Sequence, residues 1–215
     1  MVVDILRATS SMVTALAHGA RQIRPVAQVE ACLALQPQGY LIGGERDGQK
    51  VAGFDFGNSP LEYQQSDWQG QSLAMTTTNG TLAIERSKTA SQLIIGAFLN
   101  LTAVADYLRQ QSEDVLVVCA GWKGHFNLED TLFAGALAEH LSGHCTLSGD
   151  AALMAHHLYQ CAQPDLSSFL ATSSHGQRLQ SLGAQSDIDY CLKVDQYAVV
   201  PRLEGGHLVC GHVDG

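Results

Sequence analysis

Short apolar runs alternate with helical patterns along the chain, and several of these runs end in polar or glycine-rich residues. Strands that alternate with helices at this spacing predict an α/β fold, which we expect as a three-layer α/β/α arrangement with a mixed, largely parallel sheet. We expect a single domain over residues 1–215, with residues 149–215 as a candidate C-terminal lobe. The clearest predicted strands are residues 1–6, 41–42, 73–75 and 114–119, with a closing pair at 197–202 and 207–210.

The segment after the strand at residues 73–75 has the most distinctive polar pattern. Three threonines at 76–78 are followed by Asn79-Gly80, and a helical pattern begins near Thr81. The first backbone N–H groups of a helix lack partners and its dipole favours an anion, so a strand that continues through hydroxyl residues into a helix predicts a phosphate site. The alternative is an ordinary capped loop with a turn. The predicted phosphate cradle consists of Thr77, Thr78, Asn79, Gly80 and Thr81.

Acidic residues follow the other predicted strands, and in open α/β sheets the segments after parallel strands converge at one ligand-binding edge. Carboxylate oxygens beside a phosphate-sized cradle are typical of a Mg²⁺-assisted phosphoryl site. An unpaired carboxylate in an apolar strand is costly to bury, which favours a functional role for Asp4. Glu129 and Asp130 could equally complement the dipole of the helix that they begin. The four predicted acids of the site are Asp4, Glu45, Glu129 and Asp130.

Candidate cations and cap residues lie in the same segments. Arg7 and Arg46 follow two predicted strands, and a guanidinium group fits phosphate, sulfonate or carboxylate, although a solvent-exposed salt bridge explains each arginine equally well. Lys123 is a third candidate cation. Asn58 and Ser59 precede a proline as a helix cap, and their N–H groups are also candidates to face a ligand.

Composition narrows the classes of partner. The net charge of −9 provides no basic stripe for nucleic acid, so an anionic ligand would need local cations. No apolar run reaches the roughly 18 residues of a membrane span, and no signal peptide is recognisable. The six cysteines contain no C-x-x-C pair and are typical of reduced, buried thiols. We expect a cytoplasmic protein that binds a small anionic substrate and neither membrane nor nucleic acid.

Several separated blocks, taken in order, form a recognisable set. They are Val-Asp-Ile-Leu-Arg-Ala-Thr at 3–9, Gly-Gly-Glu-Arg at 43–46, residues 53–55 with 57–60, Thr-Thr-Asn-Gly-Thr at 77–81, Cys-Ala-Gly at 119–121 with 129–130 and 134–135, Ser-His-Gly at 174–176 with Arg178, and residues 194–195. Together these blocks resemble the 2-phosphosulfolactate phosphatase family. The resemblance covers nearly the whole chain, which makes the ordered set far more specific than any single block.

The resemblance implies a magnesium-dependent phosphatase that converts 2-phospho-3-sulfolactate to 3-sulfolactate and phosphate, an early step in making coenzyme M. It implies catalytic roles for Asp4, Glu45 and Glu129, which would bind Mg²⁺ together with Asp130, and it adds Gly121 to the substrate-binding residues. Whether Asp4 is a metal ligand or a covalent nucleophile stays open.

Two alternative functions stay open as well. The first is a phosphatase of another small phosphorylated acid, because the cradle specifies phosphate better than sulfonate. The second is a non-catalytic anion-binding relative. Members of the family usually carry a leading segment with a strand before the first block, so we expect either that this strand is lost or that the natural start lies upstream. A closing pair of edge strands is compatible with a homodimer.

Overall fold

The computed structural model describes residues 1–211, and its alternating strands and helices confirm the predicted α/β class. The strands divide between two sheets. The smaller, parallel sheet has the order β6 (Ile95–Gly96), β1 (Val2–Val3) and β7 (Val118–Cys119). The larger, mixed sheet has the order β4 (Gln49–Lys50), β3 (Tyr40–Arg46), β5 (Ser72–Thr76), β2 (Gln22–Pro25), β9 (His207–Gly211) and β8 (Val200–Glu204).

Helices follow most of the strands and cover the sheets. The described residues contain the helices α1 (Ala8–Ala17), α2 (Val29–Leu33), α3 (Pro60–Gln64), α4 (Gly80–Arg86), α5 (Leu101–Arg109), α6 (Leu128–His140), α7 (Asp150–Ala162), α8 (Leu166–Leu170), α9 (Ser174–Ser181) and α10 (Gln185–Cys191). Helix α1 is buried from Ala8 to Leu16, which explains why its sequence lacks a charged face.

The core lies around α1 and the smaller sheet. Val2 and Val3 are fully buried in the central strand β1, and Met12 and Val13 of α1 belong to the same apolar cluster. Strand β1 is short because the chain turns after Val3, so that Asp4 lies between the end of a buried strand and the start of a buried helix. This arrangement fixes the position of the first predicted acid.

Strand β7 differs from its prediction. Residues 114–119 were expected to form a fully buried strand, but only Val118–Cys119 pair with β1, and Leu116 is 75% exposed. Strand β7 is at the edge of the smaller sheet, so one side has no neighbouring strand. The prediction that the cysteines are buried is also wrong for three of them, since Cys119, Cys145 and Cys161 are exposed.

The closing strands pair as expected. Strands β8 and β9 are antiparallel, and β9 joins the larger sheet beside β2, so residues beyond 149 contribute to that sheet. Strand β8 is not a free edge, because Leu203 N–H donates to Leu93 O at 2.9 Å and Ile94 forms a bridge with Arg202. The homodimer therefore stays a prediction. Across residues 1–211 there is no helix with the length and apolar character that crossing a bilayer requires.

Candidate active site

Asp4 lies at the point where α1 and α4 begin. Only 8% of the residue is exposed, and its carboxylate Oδ1 accepts from the Ala8 N–H at 3.3 Å. Gly80 packs directly against it, because a Cβ at this position would lie 2.7 Å from Asp4 Oδ2. Asp4 and Asn79 line the same pocket. The structure thus brings the predicted acid and the predicted threonine turn together.

All four predicted acids are buried, and two of them hold backbone segments in place. Glu45 accepts from the Thr78 N–H at 2.7 Å and from the Gly48 N–H at 2.6 Å. Asp130 accepts from the Ile5 N–H at 2.8 Å through one oxygen and from the Gly121 N–H at 3.1 Å through the other. Asp130 therefore ties the end of β1 to the loop after β7, and the Gly121 N–H is already bonded.

Burial of these acids close to one another raises the pKa values of two of them, Asp4 and Asp130. Burial raises the pKa of Asp4 to about 8, and the negative charges of Asp130 and Glu45 act in the same direction. Burial also raises the pKa of Asp130, with the charge of Glu129 contributing. A group of buried carboxylates that disfavour one another's charge is a site where a cation would be bound strongly.

The threonine turn faces the pocket only in part. Thr77 and Thr81 bond to each other: the Thr77 N–H donates to Thr81 Oγ1 at 3.0 Å, and the Thr81 N–H donates to Thr77 Oγ1 at 3.1 Å. Thr78 lines the pocket, and its buried Oγ1 has no hydrogen-bond partner. Asn79 also lines the pocket, and its Oδ1 accepts from the Lys123 N–H at 3.0 Å. The side chains of the predicted cradle that remain available to a ligand are those of Thr78 and Asn79.

The two predicted arginines are placed differently. Arg7 lines the pocket, is 8% exposed, and forms an ion pair with Asp187, while its Nη2 lies 3.4 Å from Gly48 O. Arg46 does not line this pocket; its Nη2 donates to Ala27 O at 2.9 Å and to Thr76 Oγ1 at 2.8 Å. Arg46 thus joins strand ends of the larger sheet, and Arg7 is the predicted arginine at the pocket.

The predicted cap residues contribute to the same region. Asn58 lines the pocket with 6% exposure, and its buried Oδ1 has no partner. Ser59 reaches the pocket only indirectly, because its Oγ donates to Asp187 Oδ1 at 2.6 Å. Asp187 itself was not predicted, since it lies on α10 far along the chain and belongs to no local motif.

A buried Glu–His pair completes the pocket. Glu129 Oε1 lies 2.6 Å from His175 Nδ1 and accepts from Asn127 Nδ2 at 3.0 Å, while Glu129 Oε2 is buried without a partner. The His175 ring stacks on Trp122 with centroids 6.0 Å apart and planes 17° apart. His175 lines the pocket; its sequence position allowed it either to reach this edge of the sheet or simply to belong to the start of a helix. The only sequence signal for His175 was the Ser-His-Gly block at 174–176, whose spacing does not match a catalytic or metal-binding motif.

Magnesium is the cofactor that the sequence predicts for this site. Within residues 1–211, no three His, Cys, Asp or Glu side chains converge into a metal site by themselves. Mg²⁺ does not need such a set, because it commonly binds through one or two carboxylates, several waters and a substrate phosphate. Asp4 and Glu45 line the pocket with the unpartnered oxygens of Asn58 and Thr78. This donor set of hard oxygens fits Mg²⁺.

Comparison with known proteins gives a consistent answer. The sequence model of a family described as 2-phosphosulpholactate phosphatase matches residues 1–206. A protein from Thermotoga petrophila called a probable 2-phosphosulfolactate phosphatase is 44% identical over 206 residues, which cover 96% of this chain and 89% of the relative. A protein of the same name from Gloeobacter violaceus is 45% identical over 98% of this chain and 91% of its own length. A third, from Clostridium acetobutylicum, is 37% identical over 97% and 91%.

Proposed function

The chain belongs to the 2-phosphosulfolactate phosphatase family, and from that premise we propose that it hydrolyses 2-phospho-3-sulfolactate to 3-sulfolactate and phosphate in a magnesium-dependent reaction. It is a phosphoric monoester hydrolase. The observation that supports the proposal best is the buried Asp4 carboxylate in a pocket that Arg7, His175 and Arg178 also line. In an organism that makes coenzyme M, the reaction would be an early step of that pathway.

Asp4 and Glu45 would hold the magnesium ion. When bound, Mg²⁺ offsets negative charge on the phosphoryl group and on the two carboxylates. Glu45 and Asp130 both accept backbone N–H groups through their two oxygens, but only Glu45 lines the pocket, so Asp130 is not assigned as a direct ligand. Its role in this proposal is to fix the chain on either side of Asp4 and to add negative potential. Glu129 is likewise assigned to His175 rather than to the metal.

The remaining polar groups of the pocket bind and orient the substrate. Thr78 Oγ1 has no partner in the protein and donates to a phosphate oxygen, and the amides of Asn58 and Asn79 can do the same. Arg7 is buried and offers a planar fork, which suits the substrate carboxylate. Asp187 holds that guanidinium group in place.

His175 supplies the proton for the leaving oxygen. Its Nδ1 is bonded to Glu129, which assigns the proton of Nδ1 to this bond and leaves Nε2 as the ring nitrogen available to the substrate. Water forms the new P–O bond as the ester P–O bond breaks, and the proton on Nε2 passes to the alkoxide of the lactate. The attacking water releases one proton to solvent, and solvent returns one to Nε2, so the histidine is restored and the products are 3-sulfolactate and phosphate. Stacking on Trp122 fixes the ring orientation.

The function is tested by phosphate release from 2-phospho-3-sulfolactate by the purified protein, with Mg²⁺ and after chelation with EDTA. We expect turnover only with the metal, and recovery when Mg²⁺ is added back. Turnover of 2-phospholactate without turnover of the sulfonated ester would assign the protein to another phosphorylated acid. Binding of 3-sulfolactate without turnover at any metal concentration would indicate a non-catalytic relative.

We expect His175→Asn to lower kcat by about 10²–10⁴, the usual contribution of a positioned general acid, with little change in KM. The matched variant is Glu129→Gln, which keeps the size of the side chain and its contact with His175 but removes the negative charge; it should lower kcat less than His175→Asn. The measurement is steady-state phosphate release across pH 5–9. An unchanged kcat in His175→Asn would remove the histidine from the reaction.

A further inference from the structure

A second set of charged side chains surrounds Trp122 beside the pocket. We call it the Trp122 cluster and define it as Asp47, Trp122, Lys123 and Arg178. Lys123 Nζ lies 2.7 Å from Asp47 Oδ1, and the Arg178 guanidinium group donates to the backbone O of Asp47. Both cations lie over the indole ring, 5.5 Å and 5.4 Å from its centroid. The cluster therefore presents two cations and one carboxylate.

This cluster adjoins the pocket of Asp4. Asp47, Trp122 and Arg178 line that pocket. Asp47 is the turn residue between β3 and β4, with φ +53°, and the next residue, Gly48, accepts from Arg7 and donates to Glu45. The turn therefore connects the buried arginine to the cations around the indole.

The contact between Lys123 and the Asp47 carboxylate can easily be replaced by a contact between Lys123 and another anion. The Asp47 and Lys123 side chains are 69% and 50% exposed, and an exposed ion pair contributes little stability. Because the cluster holds two cations and one carboxylate, and that carboxylate pairs with Lys123 alone, an incoming anion would meet an excess of positive charge in a protein whose net charge is −9.

We propose that Lys123 and Arg178 bind the sulfonate group of the substrate, and that the Asp47 carboxylate pairs with Lys123 until the sulfonate displaces it. The inference rests on the proposed function and names the group of the substrate that this part of the site recognises. A sulfonate is tetrahedral and offers three acceptor oxygens, which suits two separate cations. The planar carboxylate of the substrate fits the fork of Arg7 better. Trp122 orients both cations through its ring face.

The test compares two substrates that differ only in the sulfonate, 2-phospho-3-sulfolactate and 2-phospholactate. We expect Arg178→Leu and Lys123→Leu each to raise KM for the sulfonated ester about tenfold to hundredfold, as for the loss of a charge-assisted hydrogen bond, with kcat unchanged. KM for 2-phospholactate should change less than twofold. Lys88→Leu removes an exposed lysine that pairs with Glu85 away from the pocket, and is the control for surface charge. Equal losses on both substrates would overturn the inference.

Asp47→Asn tests the displacement. Asparagine tolerates a positive φ and keeps the backbone carbonyl that accepts from Arg178, so only the competing charge is removed. We expect 3-sulfolactate to bind about two- to fivefold more tightly to this variant, measured by calorimetry in the presence of Mg²⁺. Weaker or unchanged binding would show that Asp47 does not compete. Because calorimetry needs no turnover, loss of sulfolactate binding in Arg178→Leu supports the inference even if the wild type proves inactive, which separates its failure from that of the proposed function.

Discussion

Asp4→Asn is expected to abolish phosphate release and, in the metal-free protein, to raise stability at alkaline pH. Activity should fall at least about 10³-fold, because the amide keeps the shape of the side chain but loses the charge that holds Mg²⁺ against the phosphate. The same substitution removes one of several buried carboxylates that repel one another. A change that destroys function while stabilising the fold would indicate that the acid is retained for its chemistry.

The sign of the pH effect follows from the direction of the pKa shift. The folded pKa of Asp4 is raised to about 8 from 3.8, so the folded state holds a proton that the unfolded state has already lost between these pH values. The stability that this group contributes is complete below about pH 4, and it falls as the pH rises towards 8. One such group changes the free energy of unfolding by up to about 1.4 kcal/mol per pH unit.

Thermal unfolding in EDTA between pH 5 and 9 measures this effect. We expect the Tm of the wild type to fall across the range, and that of Asp4→Asn to fall less, so that the variant is more stable by several degrees at pH 9. Asp106→Asn is the control, because Asp106 is an exposed residue that pairs with Arg109. Adding Mg²⁺ at pH 8 should raise the Tm of the wild type and leave the Asp4 variant unchanged. Parallel curves for wild type and variant would contradict the assigned environment of Asp4.

The sequence was sufficient for the fold class and for the convergence of Asp4 with the threonine turn. Apolar runs that alternate with helical patterns are a strong local signal, and the meeting of strand ends at one edge is a general property of α/β sheets. The prediction for residues 114–119 was wrong because an apolar run does not show whether a strand lies at the edge or in the centre of a sheet. Leu116 is consequently exposed instead of buried.

Side-chain directions and long-range partners could not be obtained in the same way. Arg46 and Arg7 both follow strands, yet only Arg7 lines the pocket, because the direction of a long side chain depends on neighbours that are remote in sequence. Asp187 contacts Arg7 across 180 positions, and His175 contacts Glu129 across 46. Neither contact has a periodic or motif signal, so the pocket's ion pair and its Glu–His pair emerge only from the structure.

Asp130→Ala is expected to produce the largest loss of stability among the substitutions considered. Asp130 is fully buried, and its two oxygens accept the backbone N–H groups of Ile5 and Gly121. Each buried N–H that loses its acceptor costs about 1–3 kcal/mol, so we expect the free energy of unfolding to fall by about 2–6 kcal/mol at pH 5. Activity should fall as well, because the chain on both sides of the pocket loses its common anchor.

The pH dependence of this loss separates the two roles of Asp130. The substitution removes a group whose own pKa is raised by burial, and it also removes a charge that raises the pKa of Asp4. Both effects should make the stability deficit shrink as the pH rises from 5 to 9, while the missing backbone bonds cost the same throughout. Glu139→Ala on the same helix is the matched control, since this exposed residue pairs with His156 at the surface and its loss should cost far less than that of Asp130. Denaturant unfolding gives the free energies, and hydrogen exchange at the Ile5 and Gly121 amides localises the change. A deficit no larger than that of the control would show that Asp130 does not hold these segments together. A deficit independent of pH would contradict the raised pKa values of Asp130 and Asp4.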